Sequence, residues 1–239
     1  MTELATNPYR VETISERKVA KTIDHSLLKP ELTVDEVVAG CAVAVAYNVA
    51  SVCCRPIDVE RCRDALAGTD VLVGTVIGFP HGSNLTATKV FEARHAIDQG
   101  AVELDMVLPI GLLRSGLLDA VGDDIAAVVA AAGSSAIVKV ILENAYLDHD
   151  QKVAACRVAE AAGAAYVKTS TGYAPSGSTL EDLRLMRATV SPAVKVKAAG
   201  GVRTLDALVD GLNAGIDRCG ATATAAIIDE LRARQAAPT

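Results

Sequence analysis

The chain has 239 residues, 51% hydrophobic and 22% charged, with a mean hydropathy of +0.31, which is ample apolar material for a large core and excludes disorder. A net charge of -6 and a pI near 5.3 give no overall basic field for nucleic acid, and aromatics at 3% leave little for base stacking. A phosphate ligand therefore has to be held by local groups.

Residues 1–20 are polar, with Glu3, Arg10, Glu12, Glu16, Arg17 and Lys18 but no apolar run of the kind a secretory leader carries. They read as a short helical cap with Val11 and Ile14 as its apolar contacts, and the chain reads as cytoplasmic. A regular alternation follows. Residues 21–28 form a first predicted strand ended by Pro30, and Thr33 with Glu36 makes a capping box for a helix through Val45. Residues 49–54 form a second strand stopped by Pro56, with Asp58 positioned to cap the next helix, which runs to Leu66.

Strands are then expected at 71–79, 101–108, 136–142, 165–170, 193–198 and 216–219. The helices between and after them fall at 86–98, 117–132, a segment ending at Ala162 and capped by Asp148 or Asp150, 179–189, 204–213 and 222–234. The most membrane-like window, 125–142, is broken by Gly133-Ser134-Ser135 and Lys139, so it reads as helix, turn and strand, and no membrane partner is expected. About eight β-then-α units in a chain of this length predict an α/β protein built as a single (β/α)8 TIM barrel over 1–239, with no linker. A doubly wound sheet is the runner-up, but no G-x-G-x-x-G opens the first helix and no P-loop motif occurs.

Six cysteines are scattered without a C-x-x-C pair, and the four histidines do not cluster with them at zinc-ligand spacing, so no metal site is assigned. Charge inside the strands is the anomaly. Helices pack on the outside of such a barrel and demand apolar residues there. With Leu104 and Met106 outward, Glu103 and Asp105 face the axis; with Val194 and Val196 outward, Lys195 and Lys197 face it; and Lys139 points inward with Ile141 and Glu143. In Ala165-Tyr166-Val167-Lys168-Thr169-Ser170-Thr171-Gly172 a lysine sits near the strand's end, before a turn of small residues.

Buried charges demand partners, and a network that merely fills the axis is one reading of these residues. The other is catalytic, since this fold places its chemistry at the carboxyl ends of strands, where Asp105, Lys168 and Lys197 lie; Lys195, Glu103 and Lys139 lie deeper, where packing is the alternative role. Two neighbouring ammonium groups disfavour each other's protonation, so one becomes a free amine able to attack a carbonyl. The iminium that results withdraws electrons, allowing a C–C bond to break beside it while a carboxylate moves protons. Lys168 as nucleophile, Lys197 as perturbing cation and Asp105 as proton relay form a coherent set. Three small-residue segments after adjacent strands, Ser170-Thr171-Gly172, Ala199-Gly200-Gly201 and Gly220-Ala221-Thr222, offer a grip for phosphate.

Several runs, in order and across nearly the whole chain, resemble the deoxyribose-phosphate aldolase family. They are Ile23-Asp24-His25-Ser26-Leu27-Leu28, Gly78-Phe79-Pro80-His81-Gly82, Glu103-Leu104-Asp105-Met106-Val107, Val167-Lys168-Thr169-Ser170-Thr171-Gly172 and Val196-Lys197-Ala198-Ala199-Gly200-Gly201-Val202-Arg203. The resemblance implies a class I aldolase that reversibly cleaves 2-deoxy-D-ribose 5-phosphate to acetaldehyde and D-glyceraldehyde 3-phosphate, a lyase with no cofactor and no metal. It assigns Lys168 to the Schiff base, Lys197 to the second lysine, Asp105 to proton transfer and Asp24 to orienting a substrate hydroxyl. Substrate contact is further expected from Lys139, Thr171, Gly172, Gly200, Gly201, Gly220 and Thr222.

Two departures stand out: Tyr173 where some relatives carry a lysine near the phosphate, and Gly220-Ala221-Thr222-Ala223 where serines are frequent. Cys53 matches a position near the pocket and reads as a buried thiol. The partner expected is a small sugar phosphate, and a homo-oligomer is left open. Two competing readings remain: a lysine-dependent barrel aldolase acting on a keto-sugar phosphate or keto acid, and a non-catalytic barrel that binds sugar phosphates.

Overall fold

The computed structural model describes residues 8–237. Its strands are β1 (Ile23–Leu27), β2 (Ser51–Cys54), β3 (Leu72–Ile77), β4 (Glu103–Val107), β5 (Ile137–Ile141), β6 (Tyr166–Lys168), β7 (Lys195–Ala198) and β8 (Arg218–Ala221). Each pairs in parallel with its neighbour in sequence, and β8 returns to β1 with Gly220 beside Asp24, so the sheet is a closed barrel. This is the expected (β/α)8 architecture.

The helices are α1 (Glu16–Ala20), α2 (Val34–Ala46), α3 (Val59–Ala65), α4 (Thr86–Asp98), α5 (Ile110–Arg114), α6 (Leu118–Ala132), α7 (His149–Ala161), α8 (Leu180–Thr189), α9 (Leu205–Asn213) and α10 (Thr224–Ala236). Helix starts follow side-chain chemistry. Thr33 and Glu36 close the expected capping box on α2, with Thr33 N–H donating to Glu36 Oε2 at 2.7 Å. Between the two candidates for α7, Asp148 is the cap, accepting from Gln151 N–H at 2.9 Å. Thr179 and Thr204, expected as first helical residues, instead cap α8 and α9 through their hydroxyls.

Four expectations need correction. Asp58 precedes α3 but caps nothing; its buried carboxylate accepts from Arg55 at 2.7 Å and Arg61 at 2.6 Å, a stronger demand than a backbone N–H makes. α5, inserted after β4, was not expected; at five residues it is too short for a helical period to show in the sequence. β8 lies at Arg218–Ala221, two residues later than expected, so Gly220 and Ala221 belong to the strand and not to a phosphate loop. Finally, the N-terminal cap reduces, within the described part, to α1, capped by Ser15 and packed on α10 with Val19 and Ala20 buried; residues 1–7 lie outside the described residues.

The main core is the shell between strands and helices. Leu104, Met106, Val138, Val140, Val167 and Val196 all point outward into it and are nearly or fully buried. Among the described residues no helix is long and apolar enough to cross a membrane. With apolar contact satisfied outside, the barrel interior is left to the inward-facing set.

Candidate active site

Strand register determines which polar side chains meet. Asp105 on β4 lies beside Lys139 on β5, Lys168 on β6 beside Lys197 on β7, and Lys197 beside Arg218 on β8. All turn inward, and their charged ends converge with Asp24 and Glu103. Asp105 Oδ2 accepts from Lys168 Nζ and Lys197 Nζ, each at 2.7 Å, while its Oδ1 accepts from Lys139 Nζ at 3.0 Å. Lys139 also donates to Glu103 Oε2 at 2.7 Å, and Lys197 Nζ lies 2.5 Å from Asp24 Oδ2. Arg218 closes the network from below, donating to Glu103 Oε1 at 2.8 Å and to Asp24 Oδ1.

Lys195 does not join them. It faces inward as expected, with its ammonium 5.6 Å from the same Tyr166 ring that Lys139 approaches at 5.8 Å, but it is exposed at the amino end of β7, so the expectation that it is enclosed with the others is corrected. Being first in its strand, it reaches water at the foot of the barrel. Arg218 is the network member that sequence reasoning missed. With β8 placed two residues early, the inward alternation of Arg218 and Gly220 went unread.

The network separates the two lysines electrically. Burial, together with the Lys197 charge, holds Lys168 below the ordinary lysine value despite the opposing pull of Asp105. For Lys197 burial acts in the same sense but is outweighed by Asp105 and Asp24, which raise it and keep it an ammonium. Lys139 is likewise held well above the ordinary value, with Asp105, Asp24 and Glu103 overcoming burial. Burial works against ionisation of Asp105, yet Lys139, Lys168 and Lys197 hold it well below the carboxylate range. The ion-paired set joins Lys139, Lys168, Lys197 and Arg218 to Asp24, Glu103 and Asp105, one base more than it has carboxylates.

A cavity of about 490 Å³ opens above this network at the carboxyl ends of the strands. Lys168, Lys197, Asp24 and Cys53 line it, as do Thr171, Gly172, Gly200, Gly201, Gly220 and Thr222. Of the residues expected at the site, only Asp105 and Lys139 do not reach its surface; they lie beneath the two lysines. Gly200 owes its identity to crowding, since a Cβ there would lie 2.9 Å from the Gly177 Cα. Gly220 leaves room at the floor, where an added Cβ would meet Lys197 Cε at 3.8 Å.

Tyr173 replaces a charge with a strut. Its hydroxyl donates to the Leu28 carbonyl at 2.8 Å and its ring meets Phe79 edge-on at 5.4 Å, tying the turn after β6 to the one after β1. Lys29 and Arg203 are the cations on the cavity wall. Cys53 is a poor nucleophile, its thiol pushed up to about 11 by burial and by Asp105. Among the described residues no group of His, Cys, Asp and Glu could hold a metal ion.

A parallel barrel with a desolvated lysine at the floor of its carboxyl-end cavity and a second, charged lysine beside it has the layout of an amine-catalysed barrel enzyme. The particular family follows from comparison: the DeoC/LacD aldolase model matches residues 14–224, and the chain belongs to that family. It is 50% identical over 216 residues to the deoxyribose-phosphate aldolase of Lysinibacillus sphaericus, covering 90% of this chain and 97% of that protein. It is 45% identical over 217 residues to that of Clostridium kluyveri, covering 91% and 100%. Among solved structures it superposes on the tetrameric deoxyribose phosphate aldolase of Aeropyrum pernix with a TM-score of 0.86 at 29% identity, covering 92% of this chain and 93% of that one.

Proposed function

We propose that this chain cleaves 2-deoxy-D-ribose 5-phosphate reversibly to acetaldehyde and D-glyceraldehyde 3-phosphate through an imine on Lys168. One observation carries the assignment of the nucleophile: of the two lysines on the cavity floor, Lys168 alone is depressed, while Lys197 is raised. An amine that is free near neutrality attacks the C1 aldehyde of the open-chain sugar, and the carbinolamine loses water to give the iminium. The C3 hydroxyl then gives up its proton as the C2–C3 bond breaks, and its electrons pass into the iminium to form an enamine. D-Glyceraldehyde 3-phosphate leaves. Protonation of the enamine at C2 and hydrolysis release acetaldehyde and restore Lys168.

Lys197, kept protonated, is the donor best placed at the cavity surface. Asp105 lies behind both amines and relays protons between them or through water, without touching the sugar directly. Asp24 is on the cavity wall and suits the orientation of a substrate hydroxyl. Lys139, beneath the surface, supports Asp105 in place of binding substrate. For the phosphate, Thr222 stands before α10, whose first turn has no side-chain cap and leaves N–H groups free for an anion, while Gly200 and Gly201 in the turn after β7 line the same cavity. Lys29 and Arg203 supply the positive charge that Tyr173 does not. The tetrameric relative makes assembly into a homo-oligomer a reading consistent with this one.

Incubation with 2-deoxy-D-ribose 5-phosphate, following acetaldehyde release, tests the proposal. Release that disappears in Lys168→Ala supports it; no release from the unaltered chain refutes it.

A further inference from the structure

Glu143 stands at the carboxyl end of β5 with its backbone in the left-handed region, φ 57° and ψ 63°. That conformation is unusual for a residue with a side chain, and such strain persists only where surroundings enforce it. Here they do. On one side Leu142 N–H donates to the Lys168 carbonyl at 2.9 Å, and on the other Asn144 N–H donates to the Thr169 carbonyl at 3.0 Å. The backbone around Glu143 is thus stitched to the strand end that carries Lys168.

Its side chain, 2% exposed, reaches over the same strand end. The carboxylate accepts the Thr171 N–H, shared between both oxygens at 3.3 Å, and also the Thr171 hydroxyl. Burial pushes the Glu143 carboxyl up, while the two Thr171 donors and the nearby Lys168 pull the other way; both groups that Thr171 presents to it are placed to donate, so the geometry casts Glu143 as the acceptor. The Thr171 hydroxyl has a single proton, which is now committed to Glu143, and one lone pair taken by Tyr173 N–H at 3.0 Å. What Thr171 can offer the cavity it lines is its remaining lone pair. Phosphate oxygens also offer only lone pairs, so this oxygen repels a phosphate and welcomes an O–H.

We propose that Glu143 is a positioning residue that claims the one hydroxyl proton of Thr171 and so presents to the cavity an oxygen able only to accept. The turn after β6 then seats the hydroxyl of the substrate's aldehyde-acceptor half, and the phosphate is left to the turns after β7 and β8. This rests on the aldolase reading and revises the expectation that Thr171 helps to grip phosphate.

The test measures condensation of acetaldehyde with three acceptors: D-glyceraldehyde 3-phosphate, 3-oxopropyl phosphate, which lacks only the hydroxyl, and D-glyceraldehyde, which lacks only the phosphate. In Glu143→Gln one acceptor oxygen becomes an NH2 donor, leaving a single oxygen for the Thr171 N–H and hydroxyl to share, so the hydroxyl proton is released from its fixed direction and can turn towards the cavity. The ratio of kcat/KM between the first and second acceptors is expected to fall about tenfold, as loss of one hydrogen bond predicts, while the ratio between the first and third holds. Thr171→Val is expected to lower the same ratio and Thr171→Ser to keep it, which preserves the test should the Gln variant fail to fold. Parallel losses on all acceptors, no loss at all, or collapse of the phosphate ratio in Thr171→Val would overturn the proposal. Borohydride trapping of acetaldehyde on the unaltered chain separates the two layers. With the adduct present and the ratios unmoved, only the role of Glu143 falls; with no adduct at Lys168, the aldolase reading falls and takes this role with it.

Discussion

A buried ammonium costs several kcal/mol unless matched, and Lys197 is matched by Asp24 and Asp105 at 2.5 and 2.7 Å. Lys168 shares Asp105 with it and has no second carboxylate within ion-pair distance among the described residues. The inequality between the lysines therefore comes from how carboxylates are allotted, as much as from their mutual repulsion. Lys197→Leu removes a cation that lowers Lys168, so the Lys168 pKa rises and less free amine is present at neutral pH. Each unit of that rise cuts the amine fraction about tenfold. A loss of about a hundredfold or more in kcat/KM near neutrality is expected, with the acidic limb of the pH profile displaced upward. Full turnover with an unmoved limb would show that Lys197 does not tune its neighbour.

Individual inward charges were legible in the sequence because strand alternation assigns faces without knowledge of partners, which is how Asp105, Lys139 and Lys197 were placed. Arg218 was not legible, since Ile216 and Cys219 gave β8 a plausible but early apolar frame. Glu143 was read as inward yet received no role. Its partner Thr171 lies 28 residues on, and only the register of β5 against β6 brings them together.

At the scale of elements, the cap on α2 was readable from local chemistry and that on α7 came down to two neighbouring aspartates, while Thr179 and Thr204 were read one place too far in and contacts between helices were not readable. Lys89 on α4 is fully buried, donating to the Val107 carbonyl at 3.0 Å and to Asp124 of α6 at 2.7 Å, and Asp124 also accepts from Thr86 at 2.7 Å. This clip joins two helices to the end of β4. In sequence it is a lysine on a helix with no apparent distinction from a surface one. Asp124→Ala leaves the ammonium buried with one carbonyl for company and is expected to cost about 3–5 kcal/mol in urea unfolding. Lys89→Met combined with Asp124→Leu is expected to recover most of that, because the apolar pair leaves no buried charge. A loss below about 1 kcal/mol for Asp124→Ala would mean that the clip contributes little.

For the whole molecule, repetition made the barrel readable: strand and helix alternate in order, and closure follows once eight parallel strands must bury both faces. The site was readable because an apolar outer shell forces the polar residues of the strands into one enclosed space, where they can only meet each other. Sequence set Glu103 and Lys139 deeper than the strand ends but did not show where the cavity floor falls. Asp105 was expected at the strand end as a proton relay and Lys139 as a substrate contact, yet both lie beneath the cavity floor, and their influence passes through the lysines above them. The central claim is that the nitrogen of Lys168 is an available amine. Treating the protein with acetaldehyde and borohydride and mapping the modified peptide tests it most directly. The account predicts a single reduced ethyl adduct on Lys168; an adduct on Lys197 or Lys139, or none at all, would contradict it.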